Sequence, residues 1–245
     1  MSAINTSETI EYSETDGQPM GETEKHRRWM TRIDDILCHR LRGQRAYVGC
    51  NLLLYFLPGQ PARFVVPDNF VVLDCDPKER RIFKTWEEQR VPDVVIEVTS
   101  LSTKHEDLVK KLATYEQMGV CEYFLYDPTA GYLTPALQGF RRDNGLMTEI
   151  EPQVGGVLRC QTLGLDFQLN GRRLEIIDSL TGQPALTEAE ENWQRAETEK
   201  RFAEMEKQRA ESEKQRAETE RTARLAAERR IQELEEQLRK IREKS

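Results

Sequence analysis

Residues 91–128 read VPDVVIEVTSLSTKHEDLVKKLATYEQMGVCEYFLYDP, and this stretch decides the architecture. Residues 94–98 are a short run of Val and Ile interrupted by a single Glu, bounded by Pro92-Asp93 before and by Ser and Thr after, which is the pattern of a strand. From Asp107 to Met118 the period changes. Leu108, Leu112, Tyr115 and Met118 recur at three- and four-residue steps, so they share one face of a helix, and Gly119 stands where a helix ends. Residues 122–126 then form a second buried strand, closed by the Asp127-Pro128 turn. Strand, helix and strand in that order make a crossover unit, which joins neighbouring, often parallel, strands. The class is α/β.

Towards the N-terminus, residues 46–48, 52–56 and 64–73 are rich in Val, Leu, Phe and Tyr and are separated by Pro58-Gly59 and Asp76-Pro77, so they read as further strands. A helix precedes them, with Trp29, Met30, Ile33, Ile36, Leu37 and Leu41 on one face, Thr23 as N-cap and Gly43 as stop. Towards the C-terminus, short strands are expected near 139–142, 158–160, 166–169 and 174–177. These pieces predict one sheet and few helices. Residues 1–20 are polar and read as a flexible lead-in, 21–185 as the folded body and 186–245 as a tail.

The tail repeats. QRAETEK, RFAEMEK, QRAESEK and QRAETER follow one another from Gln194 to Arg221, placing Ala196, Ala203, Ala210 and Ala217 at one heptad position. Ala227, Ile231, Leu234, Leu238 and Ile241 give a stronger seam of coiled-coil type, read as separated from the alanine heptads by a three-residue stammer. The alternative is a solitary charged helix.

Composition removes several function classes. Hydrophobic residues are 38% of the chain and charged residues 32%, with a net charge of −7. From Thr187 onward there are 15 basic and 16 acidic residues, leaving 21 basic and 27 acidic in the rest. The body therefore carries no bulk basic field, and contact with nucleic acid would need a local cleft or a metal ion. No apolar run approaches the roughly 18 residues of a membrane span, and the N-terminus lacks the pattern of a signal peptide. Five cysteines, widely spaced and without a CxxC, fit neither a disulfide framework nor a zinc site; they read as reduced thiols of a cytoplasmic protein. GxGxxG, GxxxxGK[ST] and GxSxG are all absent.

Two Pro-Asp pairs remain. In an extended strand Asp93, Val95, Glu97 and Thr99 share one side. Asp93 and Glu97 are then roughly 13 Å apart, too far to hold one ion. Asp93, opening a strand after a proline, reads as turn chemistry. Glu97 is the anomaly: a carboxylate flanked by Ile96 and Val98 is costly unless paired or bound to a cation. One reading pairs it structurally with a buried Arg or Lys. The other makes it a metal ligand with Asp68, which opens the strand after Pro67; two such acids repel unless a cation or proton intervenes, and hard oxygen donors suit Mg²⁺ or Mn²⁺. His26, His39 and His105 are scattered, with none expected beside the acids. On the following helix Lys111 lies among the inward-facing residues while Lys110 is rotated towards solvent. Its alternative role is a snorkelling surface lysine. Ser100 and Ser102 read as caps for that helix.

At these residues the chain resembles the Uma-two family of restriction-type endonucleases, a bacterial branch of the PD-(D/E)XK nuclease superfamily. The resemblance rests on Pro67-Asp68, on VPDVVIEVTSLST at 91–103, on Asp107 with KLATY at 111–115, on GVCEYFLYDP at 119–128 and on GETEKHRRW at 21–29, and spans most of residues 15–180. It implies a restriction endonuclease-like mixed central sheet flanked by helices. It implies Asp68 and Glu97 as metal ligands with the Val98 carbonyl as a third. It implies Mg²⁺ or Mn²⁺ as cofactor and cleavage of double-stranded DNA. Thr99 stands where the motif lysine would be, and Lys111 is the implied substitute. The expected protein is a homodimeric, metal-dependent endonuclease with a coiled-coil tail. Two rivals stand: a catalytically vestigial nuclease-fold module acting through its tail, and an enzyme using the same three residues on another substrate.

Overall fold

The sheet at the centre of the molecule is assembled around the crossover unit. The computed structural model describes residues 10–13, 23–99 and 106–242, without the side chains of 106–108, 237–238 and 241–242. The strands are β1 (Ala46–Cys50), β2 (Leu54–Tyr55), β3 (Phe64–Val65), β4 (Asn69–Leu73), β5 (Phe83–Lys84), β6 (Val94–Val98), β7 (Glu122–Tyr126), β8 (Leu137–Asp143), β9 (Leu146–Glu149), β10 (Leu158–Cys160), β11 (Leu165–Asn170) and β12 (Arg173–Asp178). The helices are α1 (Glu24–Arg40), α2 (Thr85–Glu88), α3 (Leu112–Met118) and α4 (Glu188–Arg242), with a π-helical segment, Glu106–Lys111, leading into α3.

The central sheet has the order β1-β4-β6-β7-β8-β9. Only β6 and β7 are parallel, with Val94 opposite Glu122 and Val98 opposite Tyr126, as a helical crossover requires. Every other adjacent pair in that sheet is antiparallel. The mixed α/β class is therefore present.

Each strand is sorted by alternation. Val94, Ile96 and Val98 of β6 enter one core with Met30, Ile33, Ile36 and Leu37 of α1 and with β10–β12. Val95 points to the other core, with Tyr115 of α3, Leu54 and Phe83. Ile33, Ile36 and Leu37 are at most 1% exposed. Burying each contributes about 1.5–3 kcal/mol, which a helix of this length needs in order to persist. Thr23 caps α1 as expected, accepting the His26 amide at 3.2 Å.

Several expectations change. Among the described residues there are three sheets rather than one: β10-β11-β12 and β3-β2-β5 are separate three-stranded sheets. The expected strand over 64–73 is broken at Pro67, which has no N–H to give to a ladder. The first turns of the expected helix are π rather than α. Of the N-terminal residues, Tyr12 is docked between Tyr55 and Trp86, with ring centroids at 5.0 and 5.3 Å. The Tyr55 hydroxyl donates to the Ser13 carbonyl at 2.7 Å.

The chain divides into a unit ending at Glu188 and a second beginning at Ala189, which consists of α4. α4 runs without interruption, and the proposed stammer is not there. Ala217 and Ile231 are fourteen residues apart, two whole heptads, so the alanine and isoleucine positions lie on one continuous stripe. Among the described residues no helix is long and apolar enough to cross a membrane.

Candidate active site

β4 and β6 pair with Asn69 opposite Ile96 and Phe70 opposite Val95. One step beyond the last ladder pair, the same register sets Asp68 opposite Glu97. Residues directly opposite in antiparallel strands have their Cβ atoms about 4.5–5.5 Å apart on one face. The two acids then exchange bonds with each other's strand. The Asp68 amide donates to Glu97 Oε2 at 3.2 Å, and the Val98 amide donates to Asp68 Oδ2 at 2.7 Å. Asp68 is 7% exposed and Glu97 1%.

Two groups reach Glu97 from the helix that follows β6. The Lys111 ammonium lies 2.9 Å from Oε1 and donates to the Val66 carbonyl at 3.3 Å, whereas Lys110 is exposed. One helical turn on, the buried Tyr115 hydroxyl donates to the same Oε1 at 2.7 Å. The π segment just before Lys111 is a local departure of a kind common at functional sites. The geometry thus brings Asp68, Glu97 and Lys111 together. It adds Tyr115, which sequence reading placed only in the core; its signal was its position on the same face one turn after Lys111.

His26 corrects the expectation that no imidazole is near the acids. It sits in the first turn of α1, 4% exposed, with Nε2 3.1 Å from Asp68 Oδ2. α1 packs on the face opposite Glu97, but Asp68 lies at the end of the sheet, where the start of that helix can reach it. Thr23 as N-cap already fixed which residue occupies this turn; the tertiary contact was not visible in the sequence.

Other candidates separate. Asp93 turns away from the site: its Oδ2 accepts the Leu73 amide at 2.7 Å, and burial pushes its carboxyl above the usual range. It ties the far end of β6 to β4. Thr99 is 1% exposed and its hydroxyl makes no hydrogen bond with the described residues. Ser100, Ser102 and His105 lie outside the described residues. Among the described residues no three His, Cys, Asp or Glu side chains are grouped as a metal cluster. The oxygen donors that the described residues bring together here are the carboxylates of Asp68 and Glu97. Mg²⁺ takes few protein ligands, with water and phosphate completing its shell, so the set fits a hard divalent ion. In keeping with this, Asp68 Oδ1 accepts no hydrogen bond from the described residues.

Replacing Tyr115 by Phe removes one hydrogen bond to a charged acceptor and keeps the ring contact with Tyr123 at 5.0 Å. Urea unfolding should show a loss of about 1.5–3 kcal/mol. An unchanged midpoint would mean that the hydroxyl does not hold Glu97.

Residues 1–172 match the family model described as "Uma2: Putative restriction endonuclease". The chain belongs to the Uma2 family. The Uma2 match contains every residue of the cluster and ends in the turn between β11 and β12, so α4 lies outside it. Among solved structures, one similar chain is described as a putative nuclease belonging to DUF820 from Anabaena variabilis ATCC 29413. It is 16% identical, with 63% of this Uma2 chain and 86% of that chain covered, at a TM-score of 0.45. No curated protein matched.

Proposed function

We propose that this Uma2 protein is a divalent-metal-dependent endonuclease that hydrolyses phosphodiester bonds of double-stranded DNA, acting as a homodimer in the cytoplasm. One observation carries the reading: Asp68 and Glu97 are set side by side at the end of β4 and β6, with Lys111 on Glu97. A purely structural ion pair would need only Glu97 and Lys111. A second buried acid opposite the first adds charge repulsion that a cation would relieve.

Asp68, Glu97 and the Val98 carbonyl would hold Mg²⁺ or Mn²⁺. When bound, the ion offsets phosphate charge and lowers the pKa of a coordinated water. Lys111 would steady the attacking water or the charge that develops on the phosphate, and Tyr115 would fix the Glu97 rotamer against it. His26 would hold Asp68 in place. Cleavage would leave 5′-phosphate and 3′-hydroxyl ends, as the superfamily resemblance implies. The local positive charge that the net composition lacks is available on the outer face of α1, where Arg27, Arg28 and Arg32 line a shallow cleft with Thr31, Asp35 and Thr187. Five free cysteines suit a reducing compartment.

The test is plasmid nicking with and without Mg²⁺, alongside calorimetric titration of Mg²⁺ and Mn²⁺. Metal-dependent nicking supports the reading. A chain that binds neither ion and leaves the plasmid intact is instead a module that retains the fold without the chemistry.

A further inference from the structure

From Thr198 through Glu236 every residue of α4 is exposed, including Leu225, Ile231 and Leu234 at 46%, 55% and 44%. A single helix gains nothing from such a stripe. We infer that α4 pairs with α4 of a second copy of this chain, parallel and in register along its whole length. The inference rests on the homodimer part of the proposed function and on none of its catalysis.

The first argument is the gradient along the stripe. Ala196, Ala203, Ala210 and Ala217 occupy one heptad position, and Ile231 and Leu238 continue it; Ala227, Leu234 and Ile241 occupy the companion position. In the alanine heptads that companion position is Glu199, Glu206, Glu213 and Glu220. A parallel, in-register pair sets Ile and Leu on Ile and Leu, and Ala on Ala, with the alanine column turned to the centre of the contact so that the glutamates stand at its flank rather than on one another. A full-length antiparallel pair lays Ile231 against the glutamate column and Leu234 against the alanine column, so the apolar end finds no apolar partner and a carboxylate is buried beside Ile231 at a cost.

The second argument is charge. With Ala at the centre of the contact, the glutamate column lies on one side and Lys200, Lys207, Lys214 and Arg221 on the other. Two parallel helices related by a twofold along their length place the glutamate side of each against the lysine side of the other. An antiparallel pair sets glutamate against glutamate and lysine against lysine. Towards the C-terminus, Arg230 falls opposite Glu235 of a parallel second copy. Arg224 interrupts the stripe, but its guanidinium is drawn along its own helix to Glu228 at 3.0 Å.

Parallel pairing joins both copies' chains to the same end of the paired helices. Antiparallel pairing would attach them to opposite ends, about 80 Å apart at ~1.5 Å per residue.

The test uses the full chain with the exposed thiols removed by Cys38→Ser and Cys121→Ser, and then Ala196→Cys or Thr198→Cys added separately. Disulfide formation needs Cα atoms within about 7 Å. Only a parallel, in-register dimer brings two copies of residue 196 together, and residue 198 points away from the seam. Under mild oxidation Ala196→Cys should convert to covalent dimer, with Thr198→Cys at background. Light scattering on the unoxidised chain should show a dimer. A dimer without the cross-link at 196 overturns the parallel arrangement; a monomer at micromolar concentration overturns self-pairing altogether. Cross-linking is independent of nicking, so an inactive chain that cross-links would fail as a nuclease and still support this inference.

Discussion

Glu97→Gln is expected to abolish metal-dependent cleavage while leaving the fold intact. Gln is nearly isosteric and its carbonyl can still accept from Tyr115, so the helix stays on the sheet. What disappears is the negative charge shared between Lys111 and the proposed ion. Transition-state stabilisation by a bound metal is worth several kcal/mol. At about 1.4 kcal/mol per tenfold, losing about 4 kcal/mol slows nicking about a thousandfold. Nicking under saturating Mg²⁺ measures this, and circular dichroism checks the fold. Activity within a few-fold of the parent would remove Glu97 from the chemistry.

The largest stability effect should come from the far side of the sheet. Glu122 on β7 is 1% exposed. Its carboxylate accepts from Arg141 Nε at 2.9 Å, from the Gln161 and Thr162 amides at 3.0 and 2.8 Å, and from the Cys160 thiol at 3.2 Å. It is the polar joint between the central sheet and β10-β11-β12. Glu122→Ala leaves a half-buried guanidinium and two amides without their acceptor. The expected cost is about 3–5 kcal/mol, a large share of the ~5–15 kcal/mol that holds an ordinary domain together. Denaturant unfolding reads it directly, and a loss below about 1 kcal/mol would contradict the role. Burial pushes this carboxyl up, but the hydrogen bonds from Thr162, Gln161 and Cys160 outweigh it and hold the group below the usual glutamate range. A depressed folded value means that the stabilisation is present at neutral pH and is lost as pH falls below that range. Glu122→Gln should therefore flatten the acid side of the stability profile as well as lower it.

What the sequence made legible follows from period. The alternation in Val94–Val98 put Glu97 on one face, and the step of the next helix put Lys111 inward and Lys110 outward, as they stand in the fold. Both rest on local geometry, which survives in any fold that keeps the elements. His26 was missed because its nearness to Asp68 depends on where α1 crosses the end of the sheet, a tertiary fact with no periodic trace. β5 and β9 were missed for a different reason: β5 is two residues long, too short to show alternation, and β9 has largely exposed residues without an apolar face. The runs that hold β2, β3 and β10–β12 were read as strands, but their separation into two small sheets leaves no trace in the local pattern. Tyr115 was read correctly as core, but the destination of its hydroxyl was not visible in the sequence.

Asp68 and Glu97 stand 29 residues apart in the chain and meet through the register of β4 on β6 alone. A slip of one residue would send one acid to the opposite face. A partly folded or newly synthesised chain, even with its helices formed, therefore lacks the pair altogether. On the proposed reading, refolding from denaturant would restore cleavage in step with closure of the sheet rather than with recovery of helix content. An activity dangerous to its own cell's DNA would then remain latent in every misfolded copy, with the strand register as its safety catch.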